Sequence, residues 1–421
     1  MEERKDILKQ MADILTAIKT SSIGDGLSEA AGPVDLLADY FTEVYNAKEK
    51  GEPLAWVNFA MFSELFWAMD IVPVCVEIVN GVNAPNPDTL RYIDLAEEHI
   101  ADYVCASNKL HLGMVLSGDL PVPDILIHPS KPCDSNIAEY AIMSEYFDFP
   151  YFCIDMPYFN NERGTNYVLE ELRKLVTFLE EVTNRKLDYN KLKQVMEYSN
   201  AAHEYVLKLS KVREAVPSPH SSLDSLSEYP LVLTLAGTPQ LVDFFKNRYE
   251  VEKAKVERKE GYLGKDGEKI RMAWIYGAPA FDLGLFFRLE QEYGAIAVAN
   301  MNNNFVMKPV EDISSTDAIL RGLAQKMLLM PMTRECGGPW EQYVDASIDL
   351  CRRSQADCAI FAGHVACKGN WAIIKLVKDK ITDELGIPVM VIELDLFDPR
   401  VLSSEALMNQ FDDFFKLVLR K

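Results

Sequence analysis

The sequence predicts an α/β protein in which two Rossmann-like parallel-sheet halves flank a helical middle segment. Three observations lead there. Short apolar runs of strand length alternate with longer amphipathic runs near both ends of the chain, and such alternation builds parallel, doubly wound sheets. Between them, residues 160–216 carry a nearly unbroken helical periodicity, with charged residues opposite apolar ones. Proline and glycine fall where the pattern changes, at Pro217-Ser-Pro219 and in the charged turn 261–269.

The chain starts with a polar helical stretch over 1–20, breaks in a Gly/Ser-rich segment over 21–33 and turns helical again over 34–50. Residues 54–59, 72–76, 124–128 and 151–154 read as buried strands, with helical segments near 63–70, 92–116 and 136–147. More helix is expected over 223–259, followed by strands at 270–276, 295–299, 358–362 and 388–392 and a closing helix near 404–420. The crossover helix over 370–385 stops at Gly386, with Pro388 just beyond, as helix-stop chemistry requires. Four units follow: an N-terminal helical segment (1–50), a first α/β domain (51–162), a helical connector (163–262) and a second α/β domain (263–421).

With 421 residues, 48% of them hydrophobic, the chain has the material for large cores. A net charge of -21 opposes binding to nucleic-acid phosphates and to anionic membranes. The start, Met-Glu-Glu-Arg-Lys-Asp, lacks the pattern of a secretion signal, and no run approaches a membrane span in length, so a cytoplasmic protein is expected. In a reducing compartment its eight cysteines are thiols or metal ligands rather than disulfides. No glycine fingerprint of the dinucleotide-binding or P-loop kind follows a predicted strand.

Three of the cysteines stand apart. Cys105, Cys133 and Cys367 each fall where a helix is expected to begin at the tip of a strand, with small or polar residues after them. A helix N-terminus offers free N–H groups and favours the thiolate. Free cysteine is among the most buried residue types, so residue type alone does not separate ligand from core. Cys75, Cys153, Cys351 and Cys358 lie in or beside apolar runs and read as packing, while Cys336, in Arg-Glu-Cys-Gly-Gly-Pro, is a reserve candidate in a glycine-rich loop. No pair has the Cys-x-x-Cys spacing of common zinc and ferredoxin sites. Ligands of open α/β sheets sit at the carboxyl ends of the strands near switch points, where Cys105 and Cys133 from one half and Cys367 from the other would meet across a cleft.

At these residues the chain resembles the family of 2-hydroxyacyl-CoA dehydratases and ATP-dependent benzoyl-CoA reductases. The likeness runs from about Lys48 to Phe415. It is carried by Gly-Glu-Pro-Leu-Ala-Trp56 with Ser63-Glu64-Leu after it, Val-Cys105-Ala-Ser-Asn-Lys-Leu-His-Leu-Gly113, the strand before Cys133, Pro217-Ser-Pro219, Cys367-Lys368 and Glu393-Leu-Asp-Leu-Phe-Asp-Pro-Arg400. The resemblance implies a 4Fe-4S cluster held by Cys105, Cys133 and Cys367 with one iron open. It also implies an acyl-CoA substrate, a related second subunit in a heterodimer, a separate ATP-hydrolysing iron–sulfur activator and an anaerobic host.

The implied chemistry is removal of water from a 2-hydroxyacyl-CoA to give a 2,3-enoyl-CoA through a ketyl radical. One added electron lets the thioester ketyl expel the α-hydroxyl and acidifies the β-C–H. Glu77 matches in position a glutamate of the dehydratases near the substrate and is the candidate base, against the plain reading of a solvated residue after a strand. His364 is the second candidate catalytic residue, as a donor to sulfur or substrate, against that of a satisfied polar residue. Glu64, Lys368 and Arg400 read as structural or exposed. The chain departs from the dehydratase pattern around Cys133, around Glu77 and in its tail, which is closer to the benzoyl-CoA reductase version. It lacks cysteines at 58–62 and 300–304, so a double-cubane cluster is not expected. An aryl-CoA reductase subunit is therefore the alternative, and a non-catalytic electron-transfer or scaffold subunit the third reading.

Overall fold

The computed structural model describes residues 5–24, 32–264 and 266–418. Residues 25–31 of the expected Gly/Ser-rich break lie outside them, and the first helix, Ile7–Gly24, runs further than the expected 1–20. Two four-stranded, all-parallel sheets form the α/β frame. The first contains β1 (Leu54–Val57), β2 (Val72–Cys75), β3 (Ile125–Pro129) and β4 (Tyr151–Ile154); the second contains β5 (Ile270–Ile275), β6 (Ala295–Asn300), β7 (Cys358–His364) and β8 (Val389–Leu394). Every strand was legible because sheets covered on both faces need continuous apolar runs. The helices Glu162–Thr183, Tyr189–Val212, Ser222–Leu235 and Pro239–Glu257 lie between the sheets in sequence.

The two sheets repeat one topology, β2-β1-β3-β4 and β6-β5-β7-β8. Both also open with the same device. Asp124, just before β3, accepts the Leu54 N–H at 2.8 Å, and Asp357, just before β7, accepts the Arg271 N–H at 2.8 Å. In each order the chain reverses direction beside the first strand, so the switch points lie between β1 and β3 and between β5 and β7. Ligand-binding residues are expected at their carboxyl ends.

The cores do not follow the sheets one to one. Ile270, Met272 and Trp274 face one side of the second sheet while Ala273 and Ile275 face the other, giving two separate clusters. A larger core runs from Ile7 to Met330 and takes in the helix Thr316–Leu329, which follows the second sheet's β6 in sequence yet packs on the helices Glu162–Thr183 and Tyr189–Val212. Its anchor is polar. Glu64, at the start of the helix Glu64–Ala68, is fully buried and pairs with Lys326, while the Ser199 hydroxyl donates to it at 2.5 Å. Burial raises the carboxyl pKa, but the Lys326 ammonium and Ser199 outweigh it and hold the group below its usual range. Glu64 is thus structural, as read from the sequence. No helix among the described residues is long and apolar enough to cross a membrane.

Lys326→Met leaves the Glu64 charge buried without its partner. The expected loss is about 3–5 kcal/mol of unfolding free energy at neutral pH, read by urea denaturation, with part recovered in Glu64→Gln/Lys326→Met.

Candidate functional site

Cys133 and Cys367 cap helices a few residues beyond the ends of β3 and β7, as their sequence contexts predict: Cys133 precedes Asp134–Tyr146 and Cys367 precedes Lys368–Leu385. Cys105 also caps a helix, Ala106–Leu116, but the element before it is another helix, Thr89–Ala96, and not a strand. The single helix expected over 92–116 is broken at 97–105. Lys109 holds that connection, donating to Glu97 Oε1 at 2.6 Å and to the Asp102 carbonyl at 2.8 Å. The two helices cross tightly at Gly113, where a Cβ would stand 1.9 Å from the Tyr92 carbonyl oxygen.

The three sulfurs meet between the sheets. Each accepts helix-start N–H groups: Ser107 for Cys105, Asn136 and Ser135 for Cys133, and Asn370 for Cys367. Cys105 feels the charge of both Cys133 and Cys367. His364, buried at the end of β7, reaches from the second sheet to Cys105 of the first, Nε2 to Sγ 3.0 Å. The Leu396 N–H donates to His364 Nδ1 at 3.2 Å. A neutral ring accepting at Nδ1 carries its proton on Nε2, so His364 donates to the Cys105 sulfur. Outside, Lys368 and Asp134, the residues after Cys367 and Cys133, pair at 2.9 Å while both stay exposed. Arg400 clamps Asp398 and reaches Asp94 at 2.7 Å, bracing the C-terminal loop against the first half.

Of three further contributors, sequence reasoning held one in reserve and missed two. Cys336 belongs to the helix Pro331–Gly337 rather than a loop, and its thiol donates to Cys367. Tyr276, at the end of β5, holds φ at 78°, a conformation unfavourable for an aromatic residue, and its hydroxyl donates to Cys367. The third is an asparagine three residues after each capping cysteine: Asn108, Asn136 and Asn370, all buried. This Cys-x-x-Asn recurrence was readable. Asn370 accepts the His364 N–H at 3.1 Å and donates to the Tyr343 hydroxyl at 3.1 Å; Asn108 donates to Asn136 Oδ1 at 2.9 Å, and Asn136 donates to Glu77 Oε1 at 3.0 Å.

Glu77 is therefore half-buried and hydrogen-bonded at the start of its helix. Its carboxylate also accepts the Phe59 N–H at 3.0 Å and lies 3.4 Å from the Cys75 sulfur. Burial raises its pKa to about 7 against the hydrogen bonds of Asn136 and the helix start. Burial pushes the Cys105 thiol well up and Cys133 to about 12. Cys367 alone is lowered, to about 6, first by the Cys336 hydrogen bond and against burial, with further help from Tyr276, His364 and the Asn370 amide. No group of three His, Cys, Asp or Glu among the described residues is gathered closely enough for a single metal ion. Thiols at helix starts are nonetheless the donor type that an iron–sulfur cluster takes. A small cleft of ≈ 60 Å³ near Arg213, Glu228 and Arg353 shares no residue with this site. Arg213 there is paired with Glu228 and Glu252, so that cleft reads as structural.

The family described as 2-hydroxyglutaryl-CoA dehydratase, D-component, matches residues 59–417. The chain belongs to this family. It is an enzyme of that family, as the resemblance implied. Among its relatives are the (R)-2-hydroxyisocaproyl-CoA dehydratase alpha subunit of Clostridioides difficile, 21% identical over 88% of this chain and 91% of that one, and the (R)-phenyllactyl-CoA dehydratase alpha subunit of Clostridium sporogenes, 22% identical over 85% and 87%. A benzoyl-CoA reductase subunit from Thauera aromatica is 22% identical over 92% of this chain and 94% of its own length.

In metal-free protein, Cys367 is expected to react with iodoacetamide as a thiolate from about pH 6 upward, while Cys133 stays protonated until about pH 12. Cys336→Ala removes the main donor to Cys367 and moves its reactivity to higher pH, read by peptide mass spectrometry across a pH series.

Proposed function

We propose that the chain is the iron–sulfur subunit of a 2-hydroxyacyl-CoA dehydratase, which converts a 2-hydroxyacyl-CoA to a 2,3-enoyl-CoA through a ketyl radical after one-electron, ATP-driven activation by a separate iron–sulfur protein. It works in an anaerobic cytoplasm beside a related second subunit, a pairing supported by the alpha-subunit names of its relatives. The observation that carries the reading is the convergence of helix-capping thiols from both halves beside a half-buried carboxyl poised near neutrality.

Cys105, Cys133 and Cys367 are the residues that would hold a 4Fe-4S cluster. When bound, it supplies a one-electron centre and, at the iron without a thiolate from these three, a Lewis-acidic position. The protein's own groups do the rest. His364 donates to the Cys105 sulfur and is held by Leu396, so it orients that thiolate and tempers its charge. Tyr276 does the same for Cys367. Glu77, half ionised near pH 7, is the base for the β-proton, matched to its task because a general base works best with a pKa near ambient pH. Asn136 and Phe59 fix its carboxylate. Asn58 Nδ2, Thr333 Oγ1 and Glu335 Oε2 are buried without protein partners and are the polar groups available to a thioester substrate.

A second reading, a subunit of an ATP-dependent aryl-CoA reductase, draws on the tail Glu393–Arg400 and on the benzoyl-CoA reductase relative. ATP use separates the two. The dehydratase consumes ATP only for brief activation and the reductase consumes it in every turnover, so ATP hydrolysed per product formed is the deciding ratio.

Anaerobically reconstituted protein is expected to bind about four irons per chain. Cys105→Ala, Cys133→Ala and Cys367→Ala should each deplete iron and acid-labile sulfide, with Cys153→Ala unchanged; iron-free wild type after reconstitution sinks the proposal. For activity, the base must be deprotonated, so kcat/KM rises with pH through an apparent pKa of about 7. Glu77→Gln loses that limb and about 10²–10⁴-fold in rate while retaining its iron.

A further inference from the structure

Behind the starts of the helices that Cys105 and Cys133 cap runs a line of buried polar side chains, of which the proposed chemistry uses only one end. Glu77 is that end: the Phe59 N–H donates to its Oε2 and Asn136 Nδ2 to its Oε1, each at 3.0 Å. Asn136 in turn accepts at Oδ1 from Asn108 Nδ2 at 2.9 Å, and Asn108 Nδ2 also donates to Glu139 Oε2 at 2.6 Å. Glu139 Oε1 pairs with His111 Nδ1, and the His111 ring packs on Trp56 of β1 with 4.8 Å between centroids. Asn108, His111, Asn136 and Glu139 are each 4% exposed or less, so water does not compete for these bonds. Asn108 and His111 stand one turn apart on the helix Ala106–Leu116, as Asn136 and Glu139 do on Asp134–Tyr146, and residues three apart share a helix face. Asn80, on the helix of Glu77, adds a second tie by donating to the Ser107 carbonyl and hydroxyl at 3.0 Å.

The line has a direction. A carboxylate only accepts, so Glu139 holds the Asn108 nitrogen toward itself and toward Asn136; Asn136 answers with its oxygen and is left to aim its nitrogen at Glu77. The Tyr140 hydroxyl, 3.4 Å from the same Asn136 nitrogen, fits that orientation. An Asn136 amide turned over would offer Glu77 an oxygen, to which only the protonated carboxyl can donate. We propose that Asn108, oriented by Glu139 and His111, is a positioning residue for the reaction: through Asn136 it keeps an N–H donor on Glu77 and so favours the ionised, proton-accepting form of that carboxyl. The proposal rests on the reading of Glu77 as the base and deepens it. Burial raises the Glu77 pKa to about 7 against the Asn136 hydrogen bond, and Cys75, Cys133, Glu139, Tyr140 and Tyr229 also face its charge. Asn108 is uncharged, so replacing it breaks the donor chain and leaves those groups in place.

The test reads Glu77 itself rather than turnover. In the full chain before reconstitution, the C=O stretch of the protonated Glu77 carboxyl is followed by infrared spectroscopy across a pH series, the band being assigned by its absence from Glu77→Gln. Wild type is compared with Asn108→Leu and Asn108→Ala. Wild type is expected to titrate near pH 7. Both variants are expected to titrate about one pH unit higher, because Asn136 is then free to turn and accept from the acid form. Leucine keeps the volume of the side chain and alanine suits the helix, so either variant carries the test if the other fails to fold. A midpoint at or below that of wild type in the variants overturns the role of Asn108 and leaves Glu77 available as the base. Failure of the base reading shows elsewhere, in an undiminished rate of Glu77→Gln, so the two failures are told apart.

Discussion

Sulfur atoms brought together in a buried space cannot all be ionised, because like charges in low dielectric repel strongly. That constraint organises the centre of this protein. Three of the four converging thiols are held up in pKa, and a single thiolate, Cys367, carries the charge that Cys336, Tyr276, His364 and the Asn370 amide stabilise. The helix starts aim N–H groups at sulfur, Asn108 and Asn136 hold two of those helix starts to each other and to Glu77, and Asn370 ties the third to His364 and Tyr343. A centre of positive charge bound there would let the remaining protons leave.

The repeated strand order explains how one chain assembles such a centre. A parallel sheet of this order has one switch point, and at its carboxyl end two loops diverge and leave a crevice. With two sheets sharing the order, the ends of β1, β3, β5 and β7 deliver Phe59, the loop to Cys133, Tyr276 and His364. The links between the halves at the surface are weak by comparison. Exposed pairs such as Lys368 with Asp134 are typically worth about 0–1 kcal/mol, so buried contacts carry more of the join, among them those of His364 with Cys105 and of the helix Ser222–Leu235 with β2 and β6.

Much of this was legible in the sequence, and the failures have physical causes. The strands were readable from continuous apolar runs, and Cys133 and Cys367 from the strand, loop and helix-start pattern around them. Cys105 was readable as a helix start, but the break before it was hidden, since 97–105 looks helical until the close approach at Gly113 and the Lys109 contacts impose a turn. Cys336 was misassigned to a loop because Gly337-Gly338-Pro339 overshadows the short helix before it. The partnership of Glu64 and Lys326 joins residues 262 positions apart, and no local pattern encodes such a pairing. The strain at Tyr276 depends wholly on tertiary packing. The Cys-x-x-Asn recurrence, by contrast, stood in plain sight and needed only a comparison of the three segments.

The contact between His364 and Cys105 joins positions 259 residues apart. Any group bound jointly by Cys105 and Cys367 therefore acts as a cross-link that closes a very long loop, and closing long loops removes the most entropy from the unfolded chain. The loaded protein is in that sense stapled through its centre. Loss of such a group would return that entropy to the unfolded chain and so lower the stability of both halves at once.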